Sequence, residues 1–121
     1  MNLLKWLFIW QSPRREALSL YRQGLAKSEK QEWEAAVVAY TAAIGHDRAP
    51  EDVRAMALYN RALLWAAQGE TVKAAADLNA IMAMPISVPG VTTAARRRLE
   101  RLQHRKDAAA DARSRRKPTS E

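Results

Sequence analysis

The chain has 121 residues, 27% of them charged and 48% hydrophobic, a composition that suits one small folded domain and excludes a wholly disordered chain. With no cysteine and only two histidines, His46 and His104, it can build neither a disulfide framework nor a thiolate metal site, and no imidazole cluster. The formal charge of +7 is concentrated at one end: residues 1–50 carry seven basic and five acidic side chains, residues 51–90 three and four, and residues 91–121 ten and four.

Taken in chain order, Met1–Trp10 has only Asn2 and Lys5 as polar side chains and stops at Ser12-Pro13. It falls short of the roughly 20 apolar residues of a spanning helix and lacks the basic start and small-residue cleavage site of a secretory signal. Residues 1–12 are therefore expected to cap the fold or to lie on a membrane surface. Ser12 as N-cap, Pro13 at the first helical position and Glu16 in the first turns predict a helix from Pro13 to about Lys30. Leu18, Tyr21, Leu25 and Ser28 share one face of it, and Leu20, Gly24 and Lys27 another, a width that predicts contact on two sides.

Trp33, Val37, Tyr40 and Ile44 recur every three to four residues and predict a second helix from Glu32 to about Gly45. Ala49-Pro50-Glu51-Asp52 restarts the chain with two acids at the positive end of a helix dipole, and that third helix should reach Gln68 before Gly69. A fourth is expected over Thr71–Met84, stopped by Pro85. A fifth, capped by Thr92 or Thr93, should run through the arginines to about Ala110. From residue 111 onward the chain reads as a disordered basic tail, because Arg113–Glu121 offers no apolar side chain to bury. The fold class expected is all-α.

A shift of 38 residues superposes residues 17–44 on 55–82, and seven of the 28 pairs are identical. These are Ala17/Ala55, Leu20/Leu58, Tyr21/Tyr59, Leu25/Leu63, Glu32/Glu70, Ala36/Ala74 and Ala42/Ala80. The spacing of side-chain sizes is more telling. Gly24, Ala36, Tyr40 and Ala43 in one copy match Ala62, Ala74, Leu78 and Ile81 in the other. Antiparallel helices approach closely where small side chains face each other, and larger ones beside them fix the register.

This order of small and large residues, with Trp65 in a first helix, Gly69-Glu70 at an interhelix turn, and Tyr59-Asn60-Arg61-Ala62, resembles the tetratricopeptide repeat (TPR) family and its bacterial members over residues 14–86. The chain departs from that pattern at Gln31, where the turn usually has glycine, and at Ile81, where a small residue is usual. The resemblance implies a short α-solenoid, with two TPR-like helix-turn-helix repeats over residues 13–88. A basic C-terminal capping helix over 89–110 would cover the second repeat through Val91, Ala94, Ala95, Leu99 and Leu102. Residues 1–12 could cover the first repeat in the same way.

The same resemblance implies a non-enzymatic adaptor or assembly factor. The first helices of its repeats would line a concave groove for a partner's peptide or helix, through Leu18, Tyr21, Arg22, Leu25, Met56, Tyr59, Asn60 and Leu63. Asn60 stands where clamp-bearing members hold a peptide carboxylate, but Tyr21 and Leu25 replace the rest of that clamp. Both tyrosines could equally be packing residues. No cofactor or metal is expected, since no glycine-rich phosphate loop occurs and neither Ser28 nor Ser87 has a histidine at catalytic spacing. Two other readings compete. Trp6, Phe8, Ile9 and Trp10 could seat the N-terminus in an anionic membrane surface. The arginines from Arg96 to Lys117 could hold nucleic acid without sequence preference, although no aromatic follows Trp65 to stack on bases. The expected location is cytoplasmic, with peripheral membrane attachment as the alternative; oligomeric state is not legible.

Overall fold

In the computed structural model, which describes residues 12–116, the chain forms five α-helices and, among the described residues, no strand. They are α1 (Pro13–Glu29), α2 (Trp33–Gly45), α3 (Glu51–Ala67), α4 (Thr71–Met82) and α5 (Pro89–Arg116). The apolar segment before Ser12 and residues 117–121 lie outside the described residues. No described helix is long and apolar enough to cross a membrane.

The local signals act as their chemistry predicts at α1. Ser12 Oγ accepts the Arg15 N–H at 3.2 Å, and Pro13 occupies the first turn, where its missing N–H costs nothing. At the start of α3, Asp52 Oδ1 accepts the Val53 N–H at 3.0 Å, beside Glu51 in the same turn. Two elements differ from the sequence expectation. The fourth helix ends at Met82, before Pro85 rather than at Met84. The fifth starts at Pro89, so Thr92 and Thr93 sit inside its first turns and cap nothing: Thr93 Oγ1 donates back to the Pro89 carbonyl at 2.9 Å. It also continues through residues 111–116, which were expected to be disordered. The reason is local. No glycine or proline occurs between Gly90 and Pro118, alanines fill the stretch, and Asp111 pairs with Arg115 one turn on at 3.2 Å.

The two interhelix turns have one backbone. Gln31 and Gly69 lie 38 residues apart and both adopt positive φ, 61° and 79°. Behind them the Glu32 N–H reaches the Lys27 carbonyl at 2.9 Å and the Glu70 N–H the Trp65 carbonyl at 2.8 Å, closing each helix end with the same six-residue loop. The Ala36 and Ala74 N–H groups then bond Glu32 and Glu70 carbonyls, both at 3.0 Å.

Sequential helices pack on one another; in addition α1 meets α3 and α3 meets α5, whereas α2 and α4 do not meet. The central helix is α3, which meets all four of the others. Ala57 and Leu64 face a cluster with Ala36, Tyr40 and Ala43 of α2, joined by Leu20 and Leu25 of α1. Leu58 and Ala62 face Leu78 and Ile81 of α4 and Ala95 of α5, with Val91, Leu99 and Leu102 around them. A third cluster, Ala17, Ala49 and Val53, closes the α1–α3 end. The two faces expected of α1 are both contacted, Gly24 meeting Tyr40 of α2 and Leu18 and Tyr21 packing on the cluster with Val53 of α3, whereas Arg15, Ser19, Arg22, Gln23 and Ala26 on its outer side are exposed.

Candidate functional site

Four of the eight expected groove residues meet along the seam between α1 and α3. Leu18, Tyr21 and Met56 are half-buried against Ala17, Ala49 and Val53. The Asn60 amide nitrogen, one turn beyond Met56, donates to Tyr21 Oη at 3.1 Å and to the Met56 carbonyl at 2.9 Å. Both its N–H groups are thus spent within the chain, the first across the seam and the second along α3. Tyr21 leans on Tyr40 with ring centroids 5.9 Å apart and planes tilted by 41°. Burial pushes the Tyr21 phenol above its ordinary value, and the Asn60 N–H, which favours the phenolate, opposes that only in part.

The other four residues are dispersed. Leu25 packs into the α2–α3 cluster, Tyr59 packs against the second cluster, and Leu63 is half-buried. Arg22 stands exposed on α1, in a shallow channel shared with Arg15, Leu18, Ser19, Gln23 and Ala26. The chemistry of the seam is therefore an apolar and aromatic strip with one internally bonded amide and a guanidinium at its edge. Such a surface can hold a side chain by packing.

Polar framing comes from side chains whose roles the sequence pattern did not disclose. Arg61 grips Asp77 with two bonds, Nε to Oδ2 at 2.8 Å and Nη2 to Oδ1 at 2.7 Å, and its Nη1 reaches Thr41 Oγ1 at 3.0 Å, tying α3 to α4 and α2. The clue was an acid at helical spacing among Ala74, Leu78 and Ile81, on the buried stripe of α4. Arg54 donates to the Ile44 carbonyl at 3.1 Å and the His46 carbonyl at 3.3 Å, closing the end of α2 from the next helix. Arg14 forms a two-pronged pair with Asp52 at 3.2 and 2.9 Å, which holds the Asp52 carboxyl below its ordinary range. His46 Nε2 lies 2.9 Å from Glu16 Oε2.

A second concavity was not anticipated. A cleft of about 730 Å³ opens between the outer face of α4 and the later turns of α5, lined by Val72, Ala75, Leu99, Leu102 and Ala109, with Arg105 and Lys106 also on its wall. Its only sequence signal was Val72, an apolar residue off the buried stripe of α4, and it is 82% exposed. Among the described residues, no three histidine, aspartate or glutamate side chains converge as metal ligands would. No family model, curated protein or solved structure matches this chain.

Proposed function

We propose that the chain is a non-enzymatic helical-repeat module of the tetratricopeptide type that holds a segment of a partner protein along the α1–α3 seam. The observation that supports this reading most is the recurrence at 38 residues of the turn backbone together with its buried pairs, Gly24 with Tyr40 and Ala62 with Leu78. A repeated helix pair is a way of building an extended side surface, and its use is recognition rather than bond chemistry. The strip formed by Leu18, Tyr21 and Met56 is amphipathic and half-buried, as a surface that packs a partner's apolar side chains needs to be.

The test is affinity capture with the full chain beside a Leu18→Glu, Arg22→Glu variant. Arg22 is exposed and Leu18 only half-buried, so the variant should keep its helical circular dichroism. Partners held by the native chain and released by the variant define the seam as the binding surface. An unchanged set of captured proteins would overturn this reading.

A further inference from the structure

The first half of α5 is a packed helix and the second half is not. Ala95, Leu99 and Leu102 lie in or against the α3–α4 core, whereas every residue from Gln103 to Arg116 is exposed. That second half is nonetheless continuous helix, held by turn-to-turn bonds such as Gln103 Nε2 to Asp107 Oδ1 at 2.9 Å. It overhangs the outer face of α4. Between the two lies the cleft of about 730 Å³, whose α5 wall runs from Leu99 to Ala109, about three helical turns or 15 Å.

The floor and rim of this trough differ in character. Val72, Ala75, Ala66, Leu99, Leu102 and Ala109 make it apolar, and Val72 is 82% exposed, an open position for a valine. The rim is basic on balance. Arg105 and Lys106 outnumber Glu100 on its wall, where Thr71, Asn79 and Gln103 add neutral polar groups, and α5 as a whole carries nine basic side chains against Glu100, Asp107 and Asp111. A concave apolar strip three turns long, between two helices and edged by cations, matches a helix that is apolar on one face and acidic on its flanks.

We propose that the α4–α5 trough is a second docking site, separate from the α1–α3 seam, and that its occupant is an acidic amphipathic helix of a partner protein. The partner's apolar residues at i, i+3, i+4 and i+7 enter between Val72 and Leu102, and its flanking carboxylates face Arg105 and Lys106. A polynucleotide would use the cations and leave the apolar floor wet, and α5 offers no phenylalanine, tyrosine or tryptophan on which a base could stack. A lipid surface is broad and flat and would not enter a trough closed on two sides.

The probe is a fluorescein-labelled helical peptide of about 18 residues, with leucines at that spacing and glutamates elsewhere, titrated with the full-length protein and read by anisotropy. Saturable binding is expected, with amide shifts at Val72, Ala75, Leu99, Leu102 and Ala109. A Val72→Glu, Asn79→Glu variant alters only exposed positions, and an Arg105→Glu, Lys106→Glu variant reverses the rim; each should weaken binding about tenfold or more. The Leu18→Glu, Arg22→Glu variant should bind as the native chain does, so this site and the seam can fail independently. The proposal is overturned if a peptide with alanine in place of leucine binds equally well, or if single-stranded RNA or phosphatidylglycerol vesicles displace the probe more effectively than unlabelled peptide does. It is also overturned if the trough variants bind unchanged while remaining helical.

Discussion

Gly24 is buried against the face of Tyr40, and a Cβ added there would overlap the tyrosine ring, with Cζ only 2.9 Å away. Alanine elsewhere in a helix gains on glycine by up to about 1 kcal/mol, but overpacking a closed site costs about 1–3 kcal/mol. Gly24→Ala should therefore lower stability in chemical denaturation. The second copy resolves the same problem with other sizes, Ala62 against Leu78. Combining Gly24→Ala with Tyr40→Leu should consequently lose less than the two single changes summed, with a coupling of about 1 kcal/mol or more. Strict additivity would show that the two side chains do not set each other's space.

Asp77 presents a different residue-scale problem, a carboxylate with 8% of its side chain exposed that is stabilised only by its fit to Arg61. Asp77→Ala strands the guanidinium and should destabilise the fold by about 3–5 kcal/mol. Replacing both Arg61 and Asp77 by well-sized apolar residues should cost much less. Equal losses from the single and double variants would show that the pair itself, rather than a stranded charge, carries the energy.

Among the elements, the two interhelix turns differ mainly in the residue that takes the left-handed conformation. Gly69 adopts it at no steric cost, while Gln31 holds φ 61° with its Cβ crowding the next carbonyl. Gln31→Gly should raise stability by up to about 1 kcal/mol, read from the shift of the urea midpoint. A lower midpoint would mean that the Gln31 side chain makes up for its strained backbone. The turns are then fastened differently. Lys27 pairs with Glu32 at 3.0 Å in the first, and Lys73 lies 4.6 Å from the Trp65 ring centroid in the second. One backbone solution with two sets of side chains marks the turn as the unit that repeats.

Over the whole molecule, pH acts on both flanks of the stability profile. Burial raises the Tyr21 and Tyr40 phenols, so the folded chain prefers the neutral ring more than the unfolded chain does. Their contribution is fully present below the ordinary tyrosine value of about 10 and is lost as pH rises through the folded value. Asp52 has the opposite sign. Its depressed carboxyl contributes above the ordinary aspartate value of about 4 and loses that contribution as pH falls through the folded one, a small effect because the pair with Arg14 is largely solvated. Thermal unfolding across the pH range should show a plateau with a steeper alkaline than acidic decline. Tyr40→Phe, which removes one of the titrating rings, should make the alkaline decline shallower relative to its own plateau. If the alkaline limb is unaltered, the buried phenols are not its source.

Helix positions, the turn at Gly69, the small and large pairs and the apolar stripe of α5 were legible in the sequence, because propensity, capping and periodicity act within a few residues and leave their pattern in order along the chain. Even the extension of α5 to Arg116 was present there as an unbroken run without glycine or proline; the absence of apolar side chains concealed it, since a helix can persist without burying anything. The repeat pattern implied that α5 covers the second helix pair, but the individual side chains that meet across the α1–α3 and α4–α5 contacts could not be read, because they depend on where separate segments come together. Tertiary packing set α3 against all four other helices, placed Tyr59 on the second cluster rather than in the seam with Tyr21, and joined Tyr21 to Asn60, 39 positions away. It also opened the trough beside Val72, a concavity formed by two helices that neither one encodes alone.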